Sequence, residues 1–574
     1  MSASLDLASS NNGPMLRRAA VLRRGARALR VPSALEWLLL VVGLGLTWRY
    51  FWFMDDAFVY FRYVDNLLWL GRGLVFNPGE YVEGFSSPLW TLLLIPIRAT
   101  SLDYYVSLRA VALACCALFW ATSVWLNQRL SPPGPRVSVG TAFAMTHYGV
   151  LAYFSSGLET PLVQLAACAF AVLVLKPRSR CWQLLVGLAP LIRPELSVPT
   201  LALGLGLWWS ERRFPRWLFG SALSFGCAWL TFRVYYYADL FPNTYYLKDQ
   251  TDLSQGYYYF VYSLGSHYLP ALAGLLVAAA AASWWLKRRS APLQGNTDAA
   301  GASAPRLGPR LLLTLAALSS LAYPLKVGGD MVYYRFLAFA VCLGLLLSAG
   351  VLEELFAHLP WVQRHLRWAA PLLGLSFAGF SVLRYPSALT AHPATLHAKV
   401  AHYHGISDGA WHRQLADLAP NPDRARYDAE RRAQYRKATP AQLNGVRVAM
   451  GGWCAADYRK WDQTLIHEWG LTEPVLARAS VNSDRPGHKY GLKPLARSLL
   501  PIRRRALAAG TQGPGMYAAA VKAGEAPTWV RANLAAIQII ERKAYNQHRF
   551  WENLKLASQR PQVLVPPPPA PSRP

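Results

Sequence analysis

At 574 residues, 53% of them apolar and only 16% charged, the chain has more hydrophobic length than one soluble domain can bury. Its formal charge of +28, from 59 lysines and arginines against 31 acids, would suit a nucleic-acid binder if it were gathered on one polar domain. Much of the excess sits instead in short loops between apolar runs, where positive charge marks a cytoplasmic face and meets anionic lipid; membrane lipids are expected as partners and nucleic acid is not.

Residues 1–33 are basic, with Arg17, Arg18, Arg23, Arg24, Arg27 and Arg30 against a lone Asp6, which predicts a cytoplasmic N-terminus. The apolar run Ala34 to Phe53 is too long for a cleavable signal and lacks a small-residue cleavage site, so it reads as a retained first span. Asp55 then emerges outside. From there Ala57, Tyr60, Phe61, Val64, Leu67 and Leu68 recur at helical spacing, with Asp55, Arg62, Asp65 and Asn66 opposite, predicting an amphipathic helix on the bilayer interface. The paired Asp55 and Asp56 at its start read either as helix capping or as functional acids. The first outer loop, 55–88, turns on Gly71, Gly73, Pro78, Gly79 and Gly84.

Further spans are predicted at Tyr104 to Asn127, Trp217 to Tyr236, Leu269 to Leu286, Leu311 to Leu325 and Phe336 to Leu355. Leu89 to Ile97 is too short to cross alone. Between Cys181 and Ser210 two apolar pieces meet at Arg193-Pro194-Glu195, a hairpin of short spans or a re-entrant pair. Basic loops at 128–136, 176–180, 211–216, 287–310 and 358–367 fall inside, giving roughly nine full spans. The predicted fold is an α-helical polytopic protein of the plasma membrane over 34–386, followed by an extracytoplasmic mixed α/β domain over 387–562. A proline-rich tip at 563–574 is expected to be disordered.

In the tail, Val446 to Met450 with Gly451-Gly452 suggests a strand and turn, and Tyr458 to Trp469 a helical segment. Trp411, Trp453, Trp461, Trp469 and Trp529 serve a core or stack on sugar rings. The seven cysteines show neither a disulfide framework nor zinc spacing, and His467, His488 and His548 are too dispersed to ligate a metal.

The predicted topology collects Asp55, Asp56, Arg62, Glu83, Glu159, Arg193, Glu195, Asp239, Asn243, Lys248, Asp330 and Arg335 on the outer side. Charged groups at span ends are costly unless they serve a site. A pore would string them through the membrane depth, whereas a one-faced cluster suits a site open to one compartment and to the adjoining lipid.

The order of these segments is informative: paired Asp55-Asp56, then Phe61-Arg62-Tyr63, the stretch Gly73 to Glu80, Val82 to Phe85, and Ser87 to Trp90. Gly157 to Thr160, Arg193 to Glu195, Asp239 to Tyr246, Gly328 to Asp330 and Arg335-Phe336 follow. In this order they resemble the family of the mycobacterial terminal β-(1→2)-arabinofuranosyltransferase, within the GT-C superfamily of multispan glycosyltransferases. The likeness runs from Trp52 to about Leu355, and more loosely through 470–478 and 485–488. It implies transfer of a sugar, arabinofuranose favoured, from a polyprenyl-phosphate donor such as decaprenylphosphoryl arabinofuranose to an envelope glycan or glycolipid acceptor. It also implies that Asp55 or Asp56 acts on the acceptor hydroxyl. Such chemistry needs a carboxylate at the attacking oxygen or the anomeric centre and cations for the departing phosphate. Arg62, Arg193, Lys248 and Arg335 are the available cations; no metal ligand is assigned, and a divalent cation stays open as a cofactor. A transporter or flippase of lipid-linked sugars, for which inverted repeats would speak, and a non-catalytic envelope or motility accessory protein remain as alternatives.

Overall fold

The computed structural model describes residues 31–49, 51–100, 102–130, 139–249, 251–266, 308–330, 334–347, 433–443, 447–452, 454–481, 489 and 492–565, with isolated positions between 372 and 379. The predicted span Leu269 to Leu286, most of the loop 287–310, the loop 358–367 and Trp411, Trp453 and His488 lie outside the described residues. The described part is predominantly helical, with one two-stranded sheet.

The first half is built from α1 (Ala34–Arg49), α2 (Ala57–Leu68), α3 (Pro88–Ala99), α4 (Tyr104–Leu130), α5 (Thr160–Leu175), α6 (Arg180–Gly187), α7 (Ser197–Glu211), α8 (Arg216–Tyr237), α9 (Pro309–Ser319) and α10 (Ala338–Leu347). Helix α5 is buried along almost its whole length and packs on α4, α6 and α10, which makes it the axis of the first core. Among the described helices one, Tyr104–Arg129, is long and apolar enough to cross a membrane by length and composition. Trp37, Leu38, Val41 and Trp48 on α1, Leu201, Trp208 and Trp209 on α7, and Leu223 and Phe225 on α8 lie exposed.

Two predicted runs are interrupted. Helix α1 stops at Arg49, and Phe51 to Met54 continue as buried, non-helical chain. The run Leu311 to Leu325 is not one helix: α9 ends at Ser319 and a short helix restarts over Ala322–Lys326. The predicted break at Arg193 is present. Pro194 disfavours helical backbone in the preceding residue, and Arg193 is extended at φ −152°, ψ 132°.

The tail carries β1 (Arg447–Gly451), α11 (Cys454–Arg459), β2 (Gln463–His467), α12 (Leu492–Ala508) and α13 (Leu534–Ala544), with β1 and β2 parallel and Arg447 opposite Gln463. The helix expected over Tyr458 to Trp469 is therefore a helix end, a turn and a strand. Thr464, Leu465, Ile466 and His467 are all buried, and a strand covered on both faces shows no alternation to betray it. Val563, at the start of the expected disordered tip, is buried and pairs with Ala479.

The tail does not stand apart. Cys454, Tyr458 and Leu465 belong to the same core as α2, while Tyr246 and Leu247 enter the second core around α12 and α13. This overturns the prediction that α2 lies on the bilayer with a polar edge in water: both of its faces are buried, and α11 covers the polar one. Its amphipathic pattern reports two different protein surfaces rather than lipid and water.

Candidate functional site

Seven of the twelve sequence candidates converge. Arg335 sits at their centre, its Nη1 2.8 Å from Asp56 and 3.4 Å from Asp330, its Nη2 3.4 Å from Glu159. Arg193 reaches the same Glu159 oxygen at 3.5 Å and holds Glu195 at 2.6 Å. The Arg193 guanidinium and the Lys248 ammonium both lie over the Phe336 ring, 4.3 and 4.9 Å from its centroid. Burial pulls the Lys248 ammonium below its ordinary range; Asp330 opposes this, while Arg335 and Arg193 add to it.

Local backbone places these groups. Asp56 opens α2 without making a side-chain capping bond, so the capping role is not exercised and the carboxylate is available to Arg335. Glu159 caps α5 by position only, and its carboxylate is likewise left for other partners. Before it, Gly157 has φ +75°, and a β-carbon there would stand 2.6 Å from the Phe53 ring. At the other end, Tyr334 adopts φ +73° just before Arg335, a costly conformation for a bulky residue, while its hydroxyl accepts a bond from Gln164 at 3.1 Å. Asp56 is the most open of Arg335's three acids at 27% side-chain exposure, against 2% or less for Asp330 and Glu159. Arg335 is itself buried, and its Nε has no hydrogen-bond partner among the described residues.

Asp55 turns the other way. It is buried and accepts the Cys454 backbone N–H at 2.9 Å, tying the start of α2 to the tail. Arg62 is no ligand-facing cation either: its guanidinium donates to the carbonyls of Phe76, Asp457, Lys460 and Gln463 at 2.7 to 3.1 Å. Four carbonyls around one buried guanidinium form a clamp between the first loop and the tail. Sequence reasoning counted charge and could not see its neighbours.

Glu83, Asp239 and Asn243 form a separate group. Glu83 pairs with Arg233 and accepts from Trp229 at 3.3 Å; burial pushes its carboxyl up, with Arg233 opposing. Asp239 pairs with Arg478 and accepts from Tyr246 at 2.5 Å and Lys543 at 3.4 Å. Asn243 donates to the carbonyls of Gly470 and Leu471 at 2.8 and 3.0 Å. These residues line a small cleft between the helices and the tail, with Tyr81, Tyr237 and Phe241 among its walls.

The residues that sequence reasoning missed are partners. Tyr60, assigned to the apolar face of α2, donates to Glu159 at 3.3 Å; Phe336 carries two cations on one ring; Arg233, Arg478 and Lys543 hold Glu83 and Asp239. Only Phe336 left a signal, its place beside Arg335. Among the described residues no three His, Cys, Asp or Glu side chains are grouped to hold a metal, and guanidinium groups stand between the clustered carboxylates. Trp529 is core, donating to Ser498 at 3.1 Å, and Trp461 packs edge-on against Tyr435.

Comparison with known proteins meets this geometry. The chain is 29% identical over 384 residues to the terminal β-(1→2)-arabinofuranosyltransferase of Mycobacterium tuberculosis, covering 58% of each chain. It is 27% identical over 342 residues to the protein of the same name from Corynebacterium glutamicum, covering 50% of this chain and 46% of that one. The chain resembles the terminal β-(1→2)-arabinofuranosyltransferases. It spans about half the length of the curated relatives it matches. No protein-family model matches the chain, and no solved structure does.

Proposed function

We propose that this arabinofuranosyltransferase-like chain transfers a sugar, arabinofuranose favoured, from a polyprenyl-phosphate donor to an envelope glycan or glycolipid acceptor on the outer side of the plasma membrane. The observation that carries the proposal is the Asp56–Arg335 pair: the most open carboxylate of the cluster touches a buried arginine that has spare donor capacity. In this reading Asp56 takes the proton of the attacking hydroxyl. Arg335, Arg193 and Lys248 offset the charge on the departing phosphate, and burial strengthens each interaction relative to water. Arginine suits that task because its planar fork matches two phosphate oxygens at once.

Support for the membrane setting comes from the exposed apolar side chains of α1, α7 and α8 and from the long apolar helix α4. Polytopic organisation, a GT-C architecture, a cytoplasmic N-terminus and an outer tail are parts of the same proposal. The names of the two relatives give the transporter and accessory readings no support. The test is to incubate detergent-purified protein with labelled polyprenyl-phosphate sugars and arabinan oligosaccharides and to analyse the products. Lengthening of the acceptor by one arabinofuranose is expected; turnover of no polyprenyl-phosphate sugar would overturn the proposal.

A further inference from the structure

Glu159 is fully buried, yet it is given no task by the proposed chemistry: it is too enclosed to meet an acceptor hydroxyl and carries the wrong charge to meet a phosphate. Its contacts are specific. One oxygen, Oε1, takes both Arg193 Nη1 at 3.5 Å and Arg335 Nη2 at 3.4 Å, while Oε2 takes the Tyr60 hydroxyl at 3.3 Å. Two guanidinium groups brought this close would repel each other strongly in a water-poor setting, and a carboxylate between them offsets that repulsion. The two arginines come from unrelated parts of the chain, one at a proline break and one after a strained Tyr334, so backbone alone does not pair them.

We propose that Glu159 is a positioning residue that, fixed by Tyr60, holds Arg193 and Arg335 as one two-armed cradle for a lipid-linked phosphate. The inference rests on the donor assignment made above and deepens it. Glu195 and Asp330 each neutralise one arginine; Glu159 is the acid that couples the two. Arg335 Nε, buried and without a partner among the described residues, is one donor such a phosphate would satisfy.

The test uses the full chain in detergent and farnesyl phosphate, a short prenyl phosphate with no sugar, so that binding is read without turnover. Titration by calorimetry should show binding to wild type and a loss of about tenfold or more in Glu159→Gln, the scale of one charge-assisted contact. Tyr60→Phe leaves the carboxylate in place and should weaken binding by about threefold. In transfer assays both variants should raise the apparent KM for donor while leaving the KM for acceptor unchanged, a split that general destabilisation would not produce. Wild-type affinity for farnesyl phosphate in Tyr60→Phe, or in a folded Glu159→Gln, overturns the inference even if sugar transfer stands. If wild type transfers sugar but does not bind the probe, the cradle is wrong and the transfer reading survives. If it does neither, both fall.

Discussion

Asp56 and Arg335 are 279 positions apart and meet at 2.8 Å, while Asp55, the immediate neighbour of Asp56, turns to the backbone of Cys454 in the tail. Two adjacent acids that look equivalent in the sequence thus have different partners, and this division makes the catalytic proposal testable.

Asp56→Ala is expected to lower the sugar-transfer rate by about 10²- to 10⁴-fold, the loss that follows removal of a general base. Asp55→Ala should act mainly on stability, by roughly 1–3 kcal/mol, because it leaves the buried Cys454 N–H without this acceptor. Initial rates and thermal melting of the two purified variants check the assignment. Equal rate losses at unchanged melting temperature would refute the division of labour.

Arg335→Lys should weaken donor use more than Arg193→Lys. Arg335 touches Asp56, Asp330 and Glu159 together, whereas Arg193 touches Glu159 and Glu195. A lysine keeps the charge but loses the fork. Donor titration at saturating acceptor is the measurement, and the reverse order would place the phosphate nearer the Arg193 side.

Away from the site, Arg503 is buried between Glu80 of the first loop and Glu473 of the tail, its Nη2 2.9 Å from the latter. Burial pushes the Glu473 carboxyl up to about 7, with Arg503 opposing. Arg503→Met should strand two buried acids and cost about 3–5 kcal/mol, the usual result of removing one partner of a buried ion pair. Denaturant or thermal unfolding in detergent reads it; a change below about 1 kcal/mol would mean the acids are solvated by rearrangement.

Asp457 sets a pH dependence. Burial lifts its carboxyl from 3.8 to about 6, opposed by Lys460 and Arg62. An acid whose folded value lies above its unfolded one favours the folded state when protonated. Its contribution is therefore full below pH 4 and is lost as the pH rises through 6. Its share of the loss, on the order of 2–3 kcal/mol across that window, should be missing in Asp457→Asn, while the share of Glu473, raised in the same direction, remains. Melting curves of both proteins between pH 4 and 7 decide it, and parallel curves would contradict the assignment.

The proposed orientation is checked by labelling. With exposed Cys181 and Cys227 replaced by serine, a cysteine at Glu552, 62% exposed, should react with an impermeant maleimide in intact cells. Labelling only after lysis would put the tail inside.

What was legible in the sequence was whatever depends on local pattern. The break at Arg193 followed from Pro194, and of the twelve polar residues that the predicted topology collects on one side, Asp56, Glu159, Arg193, Glu195, Lys248, Asp330 and Arg335 come together. What depends on a distant partner was hidden. Arg62 and Asp65 read as a wet helix face because nothing in residues 57–68 announces that Tyr458 and the carbonyls of 457–463 will cover them. Glu83, Asp239 and Asn243 carry the same charges and amides as the residues gathered around Arg335, and only their pairing with Arg233 and Arg478 and with the Gly470 and Leu471 carbonyls sets them apart. Strand β2 stayed concealed because burial on both sides erased its alternation.

The Arg62 clamp also bears on how the protein is made. Every candidate residue lies before position 336, yet the segment bearing Asp55 and Asp56 is gripped by carbonyls and an N–H that leave the ribosome more than a hundred residues after Arg335. Until the last third of the chain exists, the polar side of α2 has only the partners supplied by the first half, among them Arg98 and Tyr104 on Asp65 and the Phe76 carbonyl on Arg62. A product truncated just after Arg335 would carry the whole set of candidate residues and still lack the tail carbonyls and the Cys454 N–H that hold the segment from Asp55 to Arg62.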